Sequence, residues 1–446
     1  MIDVELTGEV TELLQQLIRN ACVNDGTAES GEEVRNADLL RTYLEGAGLD
    51  LETYEPTAGR TSLVTRIEGT DPSAPTLCLM GHTDVVPVTP EGWRRDPFGG
   101  ELVAGEVWGR GAIDMLNLTA SMAVATKHLA RTGFRPKGTL IYFAVADEEA
   151  GGEHGAQWVT DHQYDAVRAD YVLTESGGVP MPSSTGTRVT VTTGEKGIAW
   201  RRLRIIGTPG HGSMPFGTDN ALVKAAEVVR RLVAYRPRAQ VSDTWRAYVA
   251  ALDLAPDVAD GLVDPTRVWE TCESMDDPRV AKLAHACTHM TFSPNVVHGG
   301  VKTNVIPDVV DIDVDIRTLP GETEADVEAN LAEALGELAS AVEVTVLQHA
   351  PSTASPMVTP LWDTLGRVIE RLTPGAGLVP RMTAGGTDAR FFREHGAVAY
   401  GFGLFSPHMT AAEFATRFHG HDERVDVESL RLTTDMWLAV ATDVLG

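Results

Sequence analysis

The chain has 446 residues, with 37 Lys+Arg against 63 Asp+Glu, a formal charge of −26; 43% of it is apolar and 22% charged. At about 100–200 residues per domain this length suggests two or three domains, and the balance is that of a globular rather than a disordered protein. The acidic excess repels phosphate backbones, and no apolar run approaches the ~18 residues of a membrane span, so neither nucleic acid nor a membrane is expected as a partner.

The opening, MIDVELTGEVTELL, is acidic and has neither a basic nor a long apolar stretch, so no secretory signal is expected. Helical spacing then runs from Glu9 to Ala21, with Leu13, Leu14, Leu17 and Ile18 on one face, and from Glu32 to Leu44, ended by Gly46 and Gly48. Short apolar runs follow at Ser62–Ile67, Thr76–Met80, Thr139–Ala146 and Tyr171–Thr174, with a helix near Leu118–Arg131. Strands alternating with helices predict an α/β fold, a sheet covered on both faces whose ligands gather at the strands' carboxyl ends.

From about Gly197 the pattern changes to strand (Ile198–Ile206), helix (Asn220–Tyr235), strand (His289–Val297), strand (Val309–Thr318), helix (Glu324–Ser340) and strand (Val342–Gln348). This β-α-β-β-α-β order is ferredoxin-like and predicts an inserted α+β domain. The expected division is 1–196 and 351–446 for the main domain, with 197–350 inserted. The interruption from Val241 to Thr288 reads as an extra helical piece whose aromatic residues either form core or line an apolar pocket. Cys22, Cys78, Cys272 and Cys287 form no C-x-x-C pair, which suits buried thiols in a reducing, cytoplasmic compartment. Any metal must then be held by His and carboxylate.

Such residues stand just after the predicted strands. Gly81-His82-Thr83-Asp84 follows the strand Thr76–Met80, and period-two geometry turns Asp84 to the same side as His82, where it can orient the ring. Gly109-Arg110-Gly111-Ala112-Ile113-Asp114 delivers an acid before a helix, and Asp147-Glu148-Glu149 and Glu175 sit at two further strand ends. Near the C-terminus comes Phe418-His419-Gly420-His421-Asp422-Glu423. Adjacent acids at a strand end repel unless a cation or a shared proton separates their roles.

In these motifs and their order the chain resembles the M20 family of co-catalytic zinc hydrolases. The resemblance implies a mixed-sheet zinc-peptidase catalytic domain and an inserted lid and dimerisation domain. It implies two Zn²⁺ per subunit, with Co²⁺ or Mn²⁺ as possible substitutes. Asp114 would bridge the metals, His82 and Glu175 would complete one site, and Glu149 and His419 the other. His421 is the alternative C-terminal ligand; the family's register, with His three before the Asp-Glu pair, selects His419. Glu148 would be the general base and Asp84 the partner of His82. His211, in the turn Gly207-Thr208-Pro209-Gly210-His211, would reach the partner subunit's site and donate to the oxyanion. Asn304, Arg317 and the loop Gly385-Gly386-Thr387 would contact substrate. The activity expected is hydrolysis of an amide bond in a small N-acyl amino acid or short peptide by a homodimer. The alternatives are a two-zinc aminopeptidase or dipeptidase recognising a free amine, and a non-catalytic binding relative. Asp114 is followed by Met115-Leu116-Asn117 where many relatives carry a Lys, a departure that touches no metal ligand but weakens the transfer of desuccinylase substrates to this chain.

Overall fold

Every residue of the strands Leu77–His82 and Leu140–Val145 is buried. Strands apolar on both faces belong inside a covered, largely parallel sheet. The computed structural model describes residues 4–184 and 186–446. The chain divides into two compact units: Met1–Thr193 with Ser355–Arg381 and Thr387–Gly446, and Gly194–Ala354 with Met382–Gly386.

In the first unit the strands run in the order Leu51–Tyr54, Ser62–Ile67, Leu140–Val145, Leu77–His82, Tyr171–Thr174, Val398–Gly401, Gly186–Glu195. Leu140–Val145, Leu77–His82, Tyr171–Thr174 and Val398–Gly401 are parallel to one another. The flanking strands pair antiparallel, which makes the sheet mixed. Alternate residues serve opposite faces: Leu77, Leu79 and Tyr142 enter one core, Cys78, Met80 and Phe143 the other. The first core is closed by the helices Val4–Arg19, Leu116–Arg131, Pro360–Leu372 and Val427–Leu445. Helix Leu116–Arg131 is buried on every side from Leu116 to Thr126, so it carries no polar stripe. The class is the α/β fold with helices on both faces that the sequence pattern predicts. The first helix begins at Val4, ahead of the regular stripe from Glu9, because its opening turn is largely exposed and carries little apolar signal.

The second unit holds a four-stranded antiparallel sheet in the order Thr291–Gly299, Val309–Thr318, Gly197–Ile206, Val342–Ala350. With the helices Ala221–Ala234 and Glu324–Leu335 it completes the ferredoxin-like order. In Val309–Thr318 the residues Val310, Ile312, Val314 and Ile316 face the core. Asp311 and Asp313, on the other face, pair with Arg204 and Arg202 at 2.8 and 2.7 Å. Between Val241 and Thr288 the helices Asp243–Ala250, Pro256–Leu262, Val268–Ser274 and Pro278–Thr288 build a small separate core with Leu319 and Met382. Trp245 is buried there and its indole N–H donates to the Leu262 carbonyl at 2.8 Å, so this aromatic is core and not a pocket wall.

Trp437 is fully buried in the first unit and its indole N–H donates to Ser121 Oγ at 2.9 Å. Trp437→Ala is expected to cost about 3–5 kcal/mol of stability and Trp437→Phe clearly less, read from urea unfolding followed by circular dichroism.

Candidate metal centre

Because Leu77–His82, Leu140–Val145 and Tyr171–Thr174 are parallel, their carboxyl ends open on one side of the sheet. His82 ends the first, Glu148 and Glu149 follow the second, and Glu175 follows the third. Gly81 has no side chain because helix Leu116–Arg131 passes against it: a Cβ there would lie 2.4 Å from Thr119 Oγ1. That same hydroxyl donates to the His82 carbonyl at 2.7 Å, which ties the ligand strand to the buried helix.

Donor atoms of His82, Asp114 and Glu175 lie within 4.8 Å of one another, and so do those of Asp114, Glu149 and His419. Asp114 is common to both groups. Its Oδ1 is 3.2 Å from His82 Nε2 and its Oδ2 is 2.8 Å from His419 Nε2, so one carboxylate presents an oxygen to each imidazole. Glu149 Oε2 lies 3.5 Å from His419 Nε2, and Glu148 Oε2 lies 4.0 Å from His82 Nε2. His421 is exposed instead, and its ring packs where a Gly92 side chain would be. His82 Nδ1 is 3.0 Å from the Asp84 carbonyl oxygen and 3.5 Å from its carboxylate, so the backbone is the nearer orienting group. The Asp84 carboxylate accepts from Asn24 Nδ2 at 2.9 Å and from the Glu149 N–H at 3.0 Å.

Around these residues stands a second layer that the sequence reading did not assign. Asn24 Nδ2 also donates to Asp147 at 3.1 Å, and Arg60 pairs with Glu33 at 2.8 Å inside the same buried network. On the other side Glu423 accepts from the Ile113 and Asp114 N–H groups and pairs with Arg110. Arg110 and Glu423 lie inside motifs that are visible in the sequence; Asn24, Glu33 and Arg60 carry no such signal. Asp147, Ser176 and His419 hold φ of 71°, 73° and 55°, left-handed values that a residue with a Cβ adopts only when its surroundings impose them.

Acid outnumbers base here. Burial, reinforced by the neighbouring carboxylates, holds Glu148 and Glu175 well above the usual carboxyl range. Burial also pushes Asp388 up to about 7, with Asp84 and Asp147 adding to it. Burial opposes charge on His419 as well, but the hydrogen bonds to Asp114 and Glu149 outweigh it and raise the imidazole to about 10. Asp114 is the exception: burial would raise it, and the His419 and His82 rings hold it low. Among the described residues, Asp84 Oδ1, Glu149 Oε1 and both Asp388 oxygens are buried without a hydrogen-bond partner. Nitrogen and oxygen donors with spare lone pairs are what a divalent cation of the zinc type takes.

The remaining candidates are distributed between the units. In the second, the strand Gly210–His211 pairs with Val305–Ile306, and Gly212 N–H donates to the Asn304 carbonyl at 2.9 Å, which brings His211 and Asn304 together. His211 is exposed, and its Nδ1 lies 3.2 Å from the Ser213 backbone nitrogen and 2.7 Å from the Ser213 hydroxyl. Arg317 pairs with Asp315 at 2.7 Å and lies over the Trp200 ring. Gly385 and Gly386 belong to the second unit and Thr387 to the first.

A mixed α/β sheet with imidazoles and carboxylates gathered around a shared aspartate at its strand ends is the framework of a metal-dependent hydrolase. The family model for peptidase family M20/M25/M40 matches residues 78–443, and the chain belongs to that family. The chain is 26% identical over 452 residues to the N-fatty-acyl-amino acid synthase/hydrolase PM20D1 of Xenopus tropicalis, covering 97% of this chain and 86% of that one. It is 28% identical over 386 residues to aminoacylase-1 of Homo sapiens, covering 85% of this chain and 82% of that one. Its fold matches the M20 family metallo-carboxypeptidase Sso-CP2 from Sulfolobus solfataricus with a TM-score of 0.71 at 16% identity, over 99% of both chains. The protein is accordingly an amide-bond hydrolase of the peptidase and aminoacylase type. Among the described residues no helix is long and apolar enough to cross a membrane.

A pH dependence follows for the metal-stripped protein. Asp388, raised from 3.8 to about 7, binds more protons folded than unfolded, so stability falls as pH rises through that interval. His419, raised from 6.5 to about 10, contributes stability that is full below 6.5 and is lost as pH approaches 10. Thermal melts in chelator are expected to show Tm falling steadily from pH 5 to pH 9, and a Tm that rises with pH would contradict this electrostatic account.

Proposed function

We propose that the protein is a dinuclear zinc hydrolase that cleaves the amide bond of a small N-acyl amino acid or short peptide, with Glu148 as general base. The observation that carries this reading is Asp114 presenting one oxygen toward His82 and the other toward His419. His82 and Glu175 then hold one cation with Asp114, and Glu149 and His419 the other; Co²⁺ and Mn²⁺ suit the same donors. When bound, the cations polarise the scissile carbonyl and make water acidic enough to attack at neutral pH. Glu148, beside a ligand but not one itself, takes the proton of the attacking water and delivers it to the amine nitrogen as the C–N bond breaks. Asp84 fixes the Glu149 backbone and, through its own carbonyl, the His82 ring. Arg317, Asn304 and the loop Gly385-Gly386-Thr387 receive the substrate's carboxylate end, a role for which the planar guanidinium fork is suited. The acyl-amino acid names of the two sequence relatives support this substrate class over a free-amine peptide.

The working protein in this reading is a cytoplasmic homodimer in which His211 serves the site of a second copy, its Nε2–H donating to the oxyanion. Support for a second copy comes from the ferredoxin-like unit, where Leu222, Val223 and Val233 on one helix and Val296 and Val297 on the edge strand are exposed. Apolar side chains on an unpaired strand edge invite pairing with another chain.

Glu148→Gln is expected to lower turnover of an N-acyl amino acid about 10²–10⁴-fold while two ions per chain are retained by elemental analysis. A variant that turns over at the wild-type rate would remove Glu148 from the reaction. Faster cleavage of a free-amine dipeptide than of its N-acylated form would favour the aminopeptidase reading. Mixing Glu148→Gln with His211→Ala chains is expected to restore activity that neither variant has alone, since only a histidine acting in the other subunit's site reconstitutes a complete centre.

A further inference from the structure

We propose that Glu423, acting through Arg110, is a positioning residue that holds Asp114 and His419 in register with one another; the proposal rests on the dinuclear reading above. Glu423 is fully buried and each of its oxygens has a distinct task. Oε1 accepts the N–H groups of Ile113 and Asp114, at 2.7 and 3.1 Å, and so fixes the backbone from which the shared carboxylate projects. Oε2 accepts from Arg110 Nη1 at 2.6 Å. The other arm of that guanidinium, Nη2, donates to the carbonyl of His419 at 3.2 Å. The Glu423 carbonyl in turn accepts the Gly109 N–H at 2.9 Å, so the two segments are joined by backbone as well as side chain. The Trp93 ring lies over the Arg110 guanidinium, 5.4 Å from its centre, and closes it from that side.

This arrangement answers a difficulty set by the chain. Asp114 and His419 approach to 2.8 Å although they stand on loops far apart in the sequence, and His419 sits at φ 55°, which it does not adopt unaided. A single carboxylate that grips one loop directly, and the other through a rigid two-armed cation, supplies that constraint. Lysine in place of Arg110 has no such fork. The pair touches the Asp114/Glu149/His419 group on two of its members and the His82/Asp114/Glu175 group only through Asp114. Loosening it therefore weakens the first group more than the second.

The test is zinc titration of the full-length chain by calorimetry, with the visible spectrum of the cobalt-loaded protein as a second readout. Wild type is expected to bind two ions. Glu423→Gln is expected to bind one of the two ions about 10–100-fold less tightly, leave the other nearly unchanged, and alter the cobalt bands of one site only. Arg110→Lys keeps the charge but loses the second arm, and the same selective loss is expected of it if Glu423→Gln does not fold. Arg95→Gln, which removes a half-exposed pair with Glu101, is the control and leaves both affinities intact. Wild-type affinity for both ions in the folded variants, equal weakening of both, or failure of both variants to fold would overturn the proposal. A wild-type chain that binds a single ion or none would instead overturn the dinuclear reading.

Discussion

Carboxylates that cannot all be ionised together in a dry place govern this structure. Asp84, Asp114, Glu175 and Asp388 are buried near one another, with Glu148 and Glu149 beside them, and the two histidines supply too little positive charge to neutralise the group. Like charges at such separations force protons onto some of the acids or require cations among them. The fold creates the problem deliberately: three parallel strands each end in an acid or an imidazole on the same side of the sheet. Their apolar bodies make a stiff platform, so the side chains cannot move apart to relieve the repulsion.

Rigid support extends one layer outward on both sides. Glu33, Arg60 and Asn24 hold the turn with Asp147 against the loop of Asp84, while Glu423 and Arg110 hold the loops of Asp114 and His419. Both networks are buried and both contain an Arg–Glu pair. Buried ion pairs contribute little net stability because desolvation offsets attraction. Here each bonds backbone groups or side chains that orient a donor, so their contribution is geometric. The left-handed residues at Asp147, Ser176 and His419 belong to the same economy: backbone strain is concentrated where the donors must converge, and well-packed helices surround it.

Much of the fold was legible because its signals are local. Uninterrupted apolar runs mark the central strands, strict alternation marks Val309–Thr318, and the change from one pattern to the other near Gly197 falls close to the division between units. The gathering of His82, Asp114, Glu149, Glu175 and His419 was expected only through the family resemblance that their short motifs carry; nothing in their spacing encodes their proximity. Asn24 and Arg60 lie outside any motif and act through contacts between distant segments, so no local pattern could disclose them. The carbonyl of Asp84 that orients His82 was invisible for a different reason: backbone groups are the same at every position. Trp245 shows the opposite limit, since an aromatic residue in a helical insertion looks alike whether it lines a cavity or, as here, fills a core.

The placement of Val398–Gly401 has a consequence for biosynthesis. This strand lies between Tyr171–Thr174 and Gly186–Glu195, so the central sheet has an open slot until nearly nine-tenths of the chain has left the ribosome, and His419 emerges later still. Structure that depends on such distant pairing forms slowly. Until that strand arrives the N-terminal half carries unpaired strand edges and a partial, strongly acidic donor set, the kind of exposed surface on which incompletely folded chains associate.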